Sequence, residues 1–434
     1  MLSPAAALEL LASFLDEDRI VEERETAKEL CKWLGYLPLG LELVGRYLAE
    51  DEDLSVEEVL ENLKENSVHD EALAETAEEM SAELGIVAAI DLSWQQLKPQ
   101  AQQLAYLLSL FALAPIPWEL VENCCLDSNQ ITKPKSAIKE LTKLNLLKRV
   151  EKETYLFHSL IRELLHTKEA QFDSEELKQL LCKVIVTKGK EIPQDITVEQ
   201  VTTLSPVIPH LQEVATHLAD YLTEEDLITP FARLGFFYNG QGLYNLAEPW
   251  LLQGKEITLT RLGENHGDTA TILNNLALLY NSQGRYEQAE PLLIRAIEID
   301  KSHLSENHPS FASTFNTLAH LYVEKGRYSE AESLFIQAIK INEVSFPKGH
   351  PNLALGFKNL AKFYQSQERY PEAEPLYLKS LDILSNSLGE SHHTTKVCQE
   401  SFYSFVKEVL TEGREKELSN HPMVQNLIRE IKNY

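Results

Sequence analysis

The chain holds few of the residues that build cross-linked, metal-held or membrane-held folds. Its five cysteines are Cys31, Cys124, Cys125, Cys182 and Cys398. The number is odd and no C-x-x-C pair exists. That excludes a disulfide frame or zinc ribbon and points to reduced thiols in a cytoplasm. The adjacent Cys124 and Cys125 read as packing residues. No run of about 18 uncharged apolar residues is present, so no helix is expected to cross a membrane. The apolar opening AAALELLASFL lacks a basic leader, is broken by Glu9 and runs into Asp16-Glu17-Asp18. It does not read as a signal peptide. A phosphate loop, G-x-x-x-x-G-K-[ST], is also absent, since Gly189-Lys190 and Gly254-Lys255 are each followed by glutamate. Without its backbone amides, lysine and hydroxyl, the chain is not expected to hydrolyse ATP. A nucleophile elbow and paired metal ligands are missing too, so neither catalytic residues nor a metal or cofactor is expected. Ser159 beside His158 is only a sequence neighbour, whereas triads are assembled in space from distant residues.

Charge is lopsided. The formal net charge is −27. Residues 1–100 hold 24 acidic against 7 basic side chains, so the other 334 carry only −10. Such a field repels nucleic acid, and the acidic first quarter reads as a solvated helical surface.

A strict repeat is what the chain does have. Tyr244, Tyr286, Tyr328 and Tyr370 fall 42 residues apart, in the phrases GLYNLAEPW, GRYEQAEPL, GRYSEAESL and ERYPEAEPL. His266, His308, His350 and His392 keep the same period. In residues 272–300, Leu273, Leu276, Ala277 and Tyr280 mark one amphipathic helix. Gly284 breaks it, and Ala289, Leu292, Leu293, Ala296 and Ile297 line a second. Helix pairs stacked in this way form a quasi-one-dimensional array with an extended binding surface. The four histidines, one per repeat, lie too far apart for one metal ion and are expected in structural turns. Asp268, Ser310, Asn352 and Thr394 follow them, where helix N-caps are expected.

The pattern L-A-x3-Y…A-x6-A resembles the tetratricopeptide repeat. Its 42-residue unit, with loops such as LSENHPS, is similar to the repeats of kinesin light chains and their bacterial relatives. The resemblance covers about residues 225–390, with a decayed unit after residue 392 as the expected cap, where Thr411-Glu412-Gly413 replaces the turn. It implies a concave surface lined by the first helices. Ligand-facing places carry over as Thr271, Asn274, Leu278, Asn281 and Ser282, then Ser313, Asn316, His320, Val323 and Glu324, then Leu355, Lys358, Lys362, Gln365 and Ser366. Asn274 and Asn316 would form an amide ladder for the backbone of an extended peptide, unless they bond between neighbouring helices. Lys358 and Lys362, one turn apart, would favour a carboxylate.

The front half carries a second mark. Gly35-Tyr36-Leu37-Pro38-Leu39 resembles the G-L-P-L motif of NB-ARC and related STAND signalling ATPases, with Tyr36 in a normally small place. Residues 88–125 are similar to the first helices of that family's winged-helix subdomain. Residues 131–147 read as a further helix with Lys135, Lys139 and Lys143 on one side. A hairpin follows, with residues 151–154 as its turn. His158 matches the histidine of the family's Met-His-Asp motif, which contacts the phosphates of bound ADP; Ser159 replaces the Asp. Pro38 and His158 would then be nucleotide-contact remnants.

The resemblance implies a mostly all-α protein. Its expected parts are a helical subdomain (1–84), a winged helix with a small β-hairpin (85–170), a helical linker (171–224), four tetratricopeptide repeats (225–392) and a helical cap (393–434). The P-loop part is expected to be missing. The chain reads as the C-terminal portion of a bacterial STAND-type protein: a natural truncation, half of a split gene, or a mis-called start. Its implied role is a protein- or peptide-binding scaffold or sensor, with a P-loop ATPase as a further partner. A transcriptional regulator is the alternative, through Lys133, Lys135, Lys139, Lys143, Lys148 and Arg149. Against it, residues 101–170 net only about +1, from 9 basic and 8 acidic side chains, too little for a DNA reader.

Overall fold

The computed structural model describes residues 1–15, 17–51, 53–67, 78–127, 131–194 and 196–433. Part of the acidic first quarter, residues 68–77, lies outside them. The chain is mostly helical, with one small sheet, and divides into two compact units, Met1–Arg233 and Leu234–Tyr434.

The first unit opens with helices that include Pro4–Ala12, Arg24–Trp33, Pro38–Ala49 and Glu78–Gln96. Arg24–Trp33 stops because Gly35 and Tyr36 both take left-handed backbone, at φ 62° and 56°. Pro38 then starts the next helix at its first turn, where a missing N–H costs nothing. A tyrosine with positive φ is costly; here its carbonyl accepts from the Leu2 amide at 2.9 Å. Leu30, Leu34, Leu41, Val44 and Leu48 are buried in the core. Gly45 lies under the Phe14 ring so closely that a Cβ would stand 2.6 Å from a ring carbon.

Further along come helix Pro99–Ser109, strand β1 (Ile116–Pro117), helices Trp118–Asp127 and Pro134–Lys143, then strands β2 (Lys148–Glu151) and β3 (Thr154–Leu156). The sheet order is β1-β3-β2, antiparallel throughout. Two expectations are corrected. The hairpin turns over Glu151–Thr154 as expected, with Glu153 at φ 56°, but β1 adds a third strand, too short for any alternation to show. The expected 131–147 helix is limited to Pro134–Lys143: Pro134 sets its start, and Asn145 at φ 56° ends it. Beyond it, Asp173 caps Ser174–Gly189, and a Thr197/Gln200 capping box opens Val198–Leu204. Pro206 stands in the short turn Ser205–Val207, and Pro209 in the first turn of Ile208–His217. All five cysteines are buried, and none forms a disulfide. Burial pushes the Cys125 and Cys182 thiols up to about 12, so they are inert at neutral pH.

The repeat pairs are Tyr244–Arg261 after Thr229–Asn239, Tyr286–His303 after Gly267–Ser282, Tyr328–Ser345 after Pro309–Glu324, and Tyr370–Leu388 after Pro351–Ser366. Ala277, Ala289 and Ala296 are fully buried, where small side chains let helices approach. Successive repeats are tied by a recurring triad. Arg369 donates to both carboxylate oxygens of Glu332, at 3.0 and 3.2 Å, and lies 4.1 Å over the ring of Tyr364, whose hydroxyl donates to the same carboxylate at 2.8 Å. Arg327 with Glu290 and Tyr322, and Arg285 with Glu248 and Tyr280, form the same contact one and two repeats earlier. Leu243 holds the arginine place in the first repeat. At the far end Glu374 instead accepts from the Ser419 amide at 2.8 Å. The expectation that Thr411-Glu412-Gly413 replaces the repeat turn is corrected. Gly413 at φ 71° and Arg414, whose amide bonds the Val409 carbonyl at 3.0 Å, rebuild the turn of Gly284 and Arg285 three residues late. The fifth first helix, His393–Thr411, is correspondingly longer, and Pro422–Asn433 follows it.

Candidate binding face and a second pocket

From Gly267–Ser282 on, the first helices start on histidine. Nδ1 of His266, His308, His350 and His392 accepts from the amide two residues on, at 3.2 to 3.3 Å. The expected caps, Asp268, Ser310, Asn352 and Thr394, are thus the donors, and the histidines are the caps. An imidazole Nδ1 stands at about the same reach as an asparagine oxygen, so it can do the same work. His158 caps Ser159–Thr167 in the same way, at 3.3 Å. Among the described residues, no group of three His, Cys, Asp or Glu side chains could hold a metal ion.

The predicted ligand-facing places lie on one side of these helices. Leu276, Ala277 and Tyr280 are buried, while Thr271, Ser282, Ser313, His320 and Lys362 are exposed and Asn274, Asn281, Asn316, Lys358 and Gln365 half-buried. The side-chain oxygens of Asn274, Asn281 and Asn316 are shielded from solvent and accept no hydrogen bond. Bonds to these oxygens from neighbouring helices are therefore absent. Asn239, 42 residues before Asn281, carries the same unpaired oxygen; the worn first repeat hid it from sequence reading. An unmade bond to a buried acceptor costs about 1–3 kcal/mol.

Further along the stack the chemistry changes. The His320 ring lies edge-on to Phe335 at 5.0 Å. Although the ring is exposed, the protein crowded around it and then the Lys362 and Lys358 charges lower its pKa. Gln365 is committed internally: it donates to Glu408 at 2.7 Å and accepts from the Tyr377 hydroxyl at 2.6 Å. A cavity of about 500 Å³ opens there, lined by Lys362, Gln365, Glu400, Ser404 and Glu408 among others. Glu400 and Ser404 escaped the sequence reading because the repeat phrase has decayed after residue 392. Counting 42 on from Lys358 and Lys362 finds them.

The first unit brings its two predicted residues together. Pro38 and His158 line one cavity of about 810 Å³ with Glu42, Arg46, Asn145 and Lys148. Asn145 donates to Glu42 at 2.6 Å. Nε of Arg46 is buried without a hydrogen-bond partner, and its guanidinium lies 5.4 Å over the Phe14 ring. Two of the six side chains in the basic run nearby are matched by acid: Lys135 pairs with Glu122 at 3.1 Å, and Lys143 with Glu50. No helix among the described residues is long and apolar enough to cross a membrane.

Residues 226–386 are tetratricopeptide repeats. The family model described as tetratricopeptide repeat matches residues 226–302, 268–343 and 310–386. No curated protein matches the chain. Among solved structures, it is similar to nearly identical TPR-like repeats of kinesin-light-chain type from Podosopora anserina. That match has 22% identity and a TM-score of 0.39 over 49% of this chain and 96% of that one. BtubC from P. vanneervenii matches at 20% identity and TM-score 0.36, over 54% of this chain and 87% of that one. A Signal Transduction ATPase with Numerous Domains (STAND) protein with a tetratricopeptide repeat sensor, from Pyrococcus horikoshii, matches at 17% identity and TM-score 0.46. The match covers this whole chain and 61% of that one.

Proposed function

We propose that the chain is a capture module of a STAND-type signalling protein, binding an extended peptide segment of another protein along the first helices of its repeats. Tetratricopeptide repeats generally mediate protein–protein contact. The observation that carries the specific reading is the row of half-buried asparagines whose side-chain oxygens the protein leaves unpaired, and which would reach a ligand once the side chain turns outward. A peptide backbone supplies N–H donors at a regular spacing, and an amide both donates and accepts. Thr271 and Ser313 flank the row, and Lys358 and Lys362 would hold a carboxylate of the same ligand. Such a module performs no chemistry of its own, and its five reduced thiols suit a cytoplasmic setting. The test is panning of a random peptide library on the full chain. Recovered peptides should lose about tenfold or more in affinity on Asn274→Ala/Asn316→Ala, at roughly 1 kcal/mol per lost bond. Unchanged affinity would place the working surface elsewhere.

A second reading concerns the first unit. Residues 1–84 and 85–170 would be the helical and winged-helix subdomains of an NB-ARC module, joined by a linker (171–224) to the repeats (225–392) and cap (393–434). The order helix, strand, helix, helix, hairpin supports it, as does the meeting of Pro38 and His158 in one cavity. The module would then work with a P-loop ATPase part. Calorimetric titration of this chain with ADP and ATP should show no micromolar binding; such binding would mean that the cavity is a complete nucleotide site.

A further inference from the structure

The cavity at the end of the repeat face is bipolar. Lys362 and Glu400 both line it, yet neither forms a hydrogen bond or an ion pair with any described residue. They stand on successive first helices, Pro351–Ser366 and His393–Thr411. One column of the 42-residue period makes the change of sign plain: Asn274, Asn316, Lys358, Glu400. The next column runs Leu278, His320, Lys362, Ser404. Two amide acceptors are thus followed by a cationic step and then an anionic one. Glu408 in the same cavity is already occupied by Gln365 and the Tyr370 hydroxyl. That leaves Lys362 and Glu400 as the two charges presented to a ligand, with the hydroxyls of Ser366, Ser401 and Ser404 around them. An unmatched cation and anion in one polar cavity discriminate by the sign and order of charge on whatever lies across them.

We propose that the ligand segment bound at this end is dipolar, with an acidic side chain over Lys362 and a basic one over Glu400. The proposal rests on the groove reading above. Packed helices lie about 8–10 Å apart, axis to axis. An extended chain advances about 3.3 Å per residue. The two charges of the ligand therefore stand about three residues apart. Both protein charges are solvent-exposed, so each contributes modestly, by about threefold in affinity, and the contribution shrinks with added salt.

The test uses the full chain and four acetylated, amidated peptides of about ten residues, otherwise Ser, Asn and Gly. One carries Asp then Arg three residues apart, one carries Arg then Asp, one has Asp alone, and one is uncharged. At low salt, one order of the two-charge peptide should bind about threefold tighter than the Asp peptide and about tenfold tighter than the uncharged one. Glu400→Gln should abolish the arginine margin and leave the aspartate margin; Lys362→Gln should do the reverse. If the uncharged peptide binds while charges add nothing, or if Glu400→Gln leaves the arginine margin intact, the dipolar assignment is wrong and the groove stands. If none of the four binds, the groove reading falls, and this inference with it.

Discussion

The two units handle buried polar groups in opposite ways. In residues 234–434 the contacts recur: one Arg–Glu–Tyr triad joins each repeat to the next, and a histidine cap opens every first helix from Gly267–Ser282 on. In residues 1–233, the His158 cap aside, the polar contacts among the described residues do not recur at a period. Arg162 donates to the Ser109 carbonyl at 2.8 Å and pairs with Glu213, and buried His210 lies at 3.2 Å from the Pro115 carbonyl. Burial lowers that imidazole to about 4, so it is neutral at working pH. The difference teaches where a ligand can be expected. A ladder satisfies its own groups repeat by repeat, so acceptors left unpaired on it at the same period stand out. In the aperiodic unit, the unpaired Arg46 nitrogen has no such background to be judged against.

The largest effect should come from the core of the ladder. Phe335 is fully buried against Phe363 and His320. Phe335→Ala should cost about 3–5 kcal/mol in the second unit, read by denaturant melts with hydrogen exchange. Protection should fall in neighbouring repeats and hold in residues 1–233; equal loss in both units would break the comparison. Next is Asp300, buried beside His308 and His303, where burial pushes the carboxyl up to about 6. A folded-state value above the ordinary 3.8 means that its stabilising contribution is full below that pH and is lost as pH rises through about 6. Asp300→Asn should therefore raise stability at pH 7.5 by about 1–3 kcal/mol, with the gain vanishing towards pH 4. A gain that does not change with pH would remove the carboxyl from this account. Glu332→Ala should cost about 1–3 kcal/mol by leaving the Tyr364 hydroxyl without its acceptor and Arg369 with Glu372 alone. Smaller still is the cap: His350→Ala should cost about 1 kcal/mol and His350→Asn almost nothing, since asparagine keeps an acceptor in place. If Asn is as costly as Ala in thermal melts, the imidazole does more than cap.

The repeat half was legible because a fixed period makes each position testify four times. The alanine contacts, the turn glycines and the open places on the first helices all follow from it. The histidines were placed correctly in turns but assigned the wrong job, because N-cap statistics favour Asp, Ser, Asn and Thr over an imidazole that serves equally well here. Asn239 and Glu400 were missed at the worn ends, where the phrase fades while the backbone keeps its repeat. In the front half, the start of helix Pro38–Ala49 was legible from Gly-x-x-Pro, whereas a two-residue strand such as Ile116–Pro117 has no pattern to read. Neither the unpaired oxygens nor the committed state of Gln365 could be seen in sequence, since both depend on which side chains the neighbouring helices bring within reach.

The central claim is that the half-buried asparagines with unpaired oxygens lie on the binding surface and turn to meet a ligand. Its most direct test follows the side-chain amide resonances of the asparagines in ¹⁵N-labelled full chain during titration with a peptide recovered by panning. The signals of Asn274, Asn281 and Asn316 should move together and saturate at the peptide's own Kd, while Asn342, whose amide already donates to the Asn352 carbonyl at 3.3 Å, should stay still. Movement confined to residues 1–233, or to the second helices of the repeats, would contradict it.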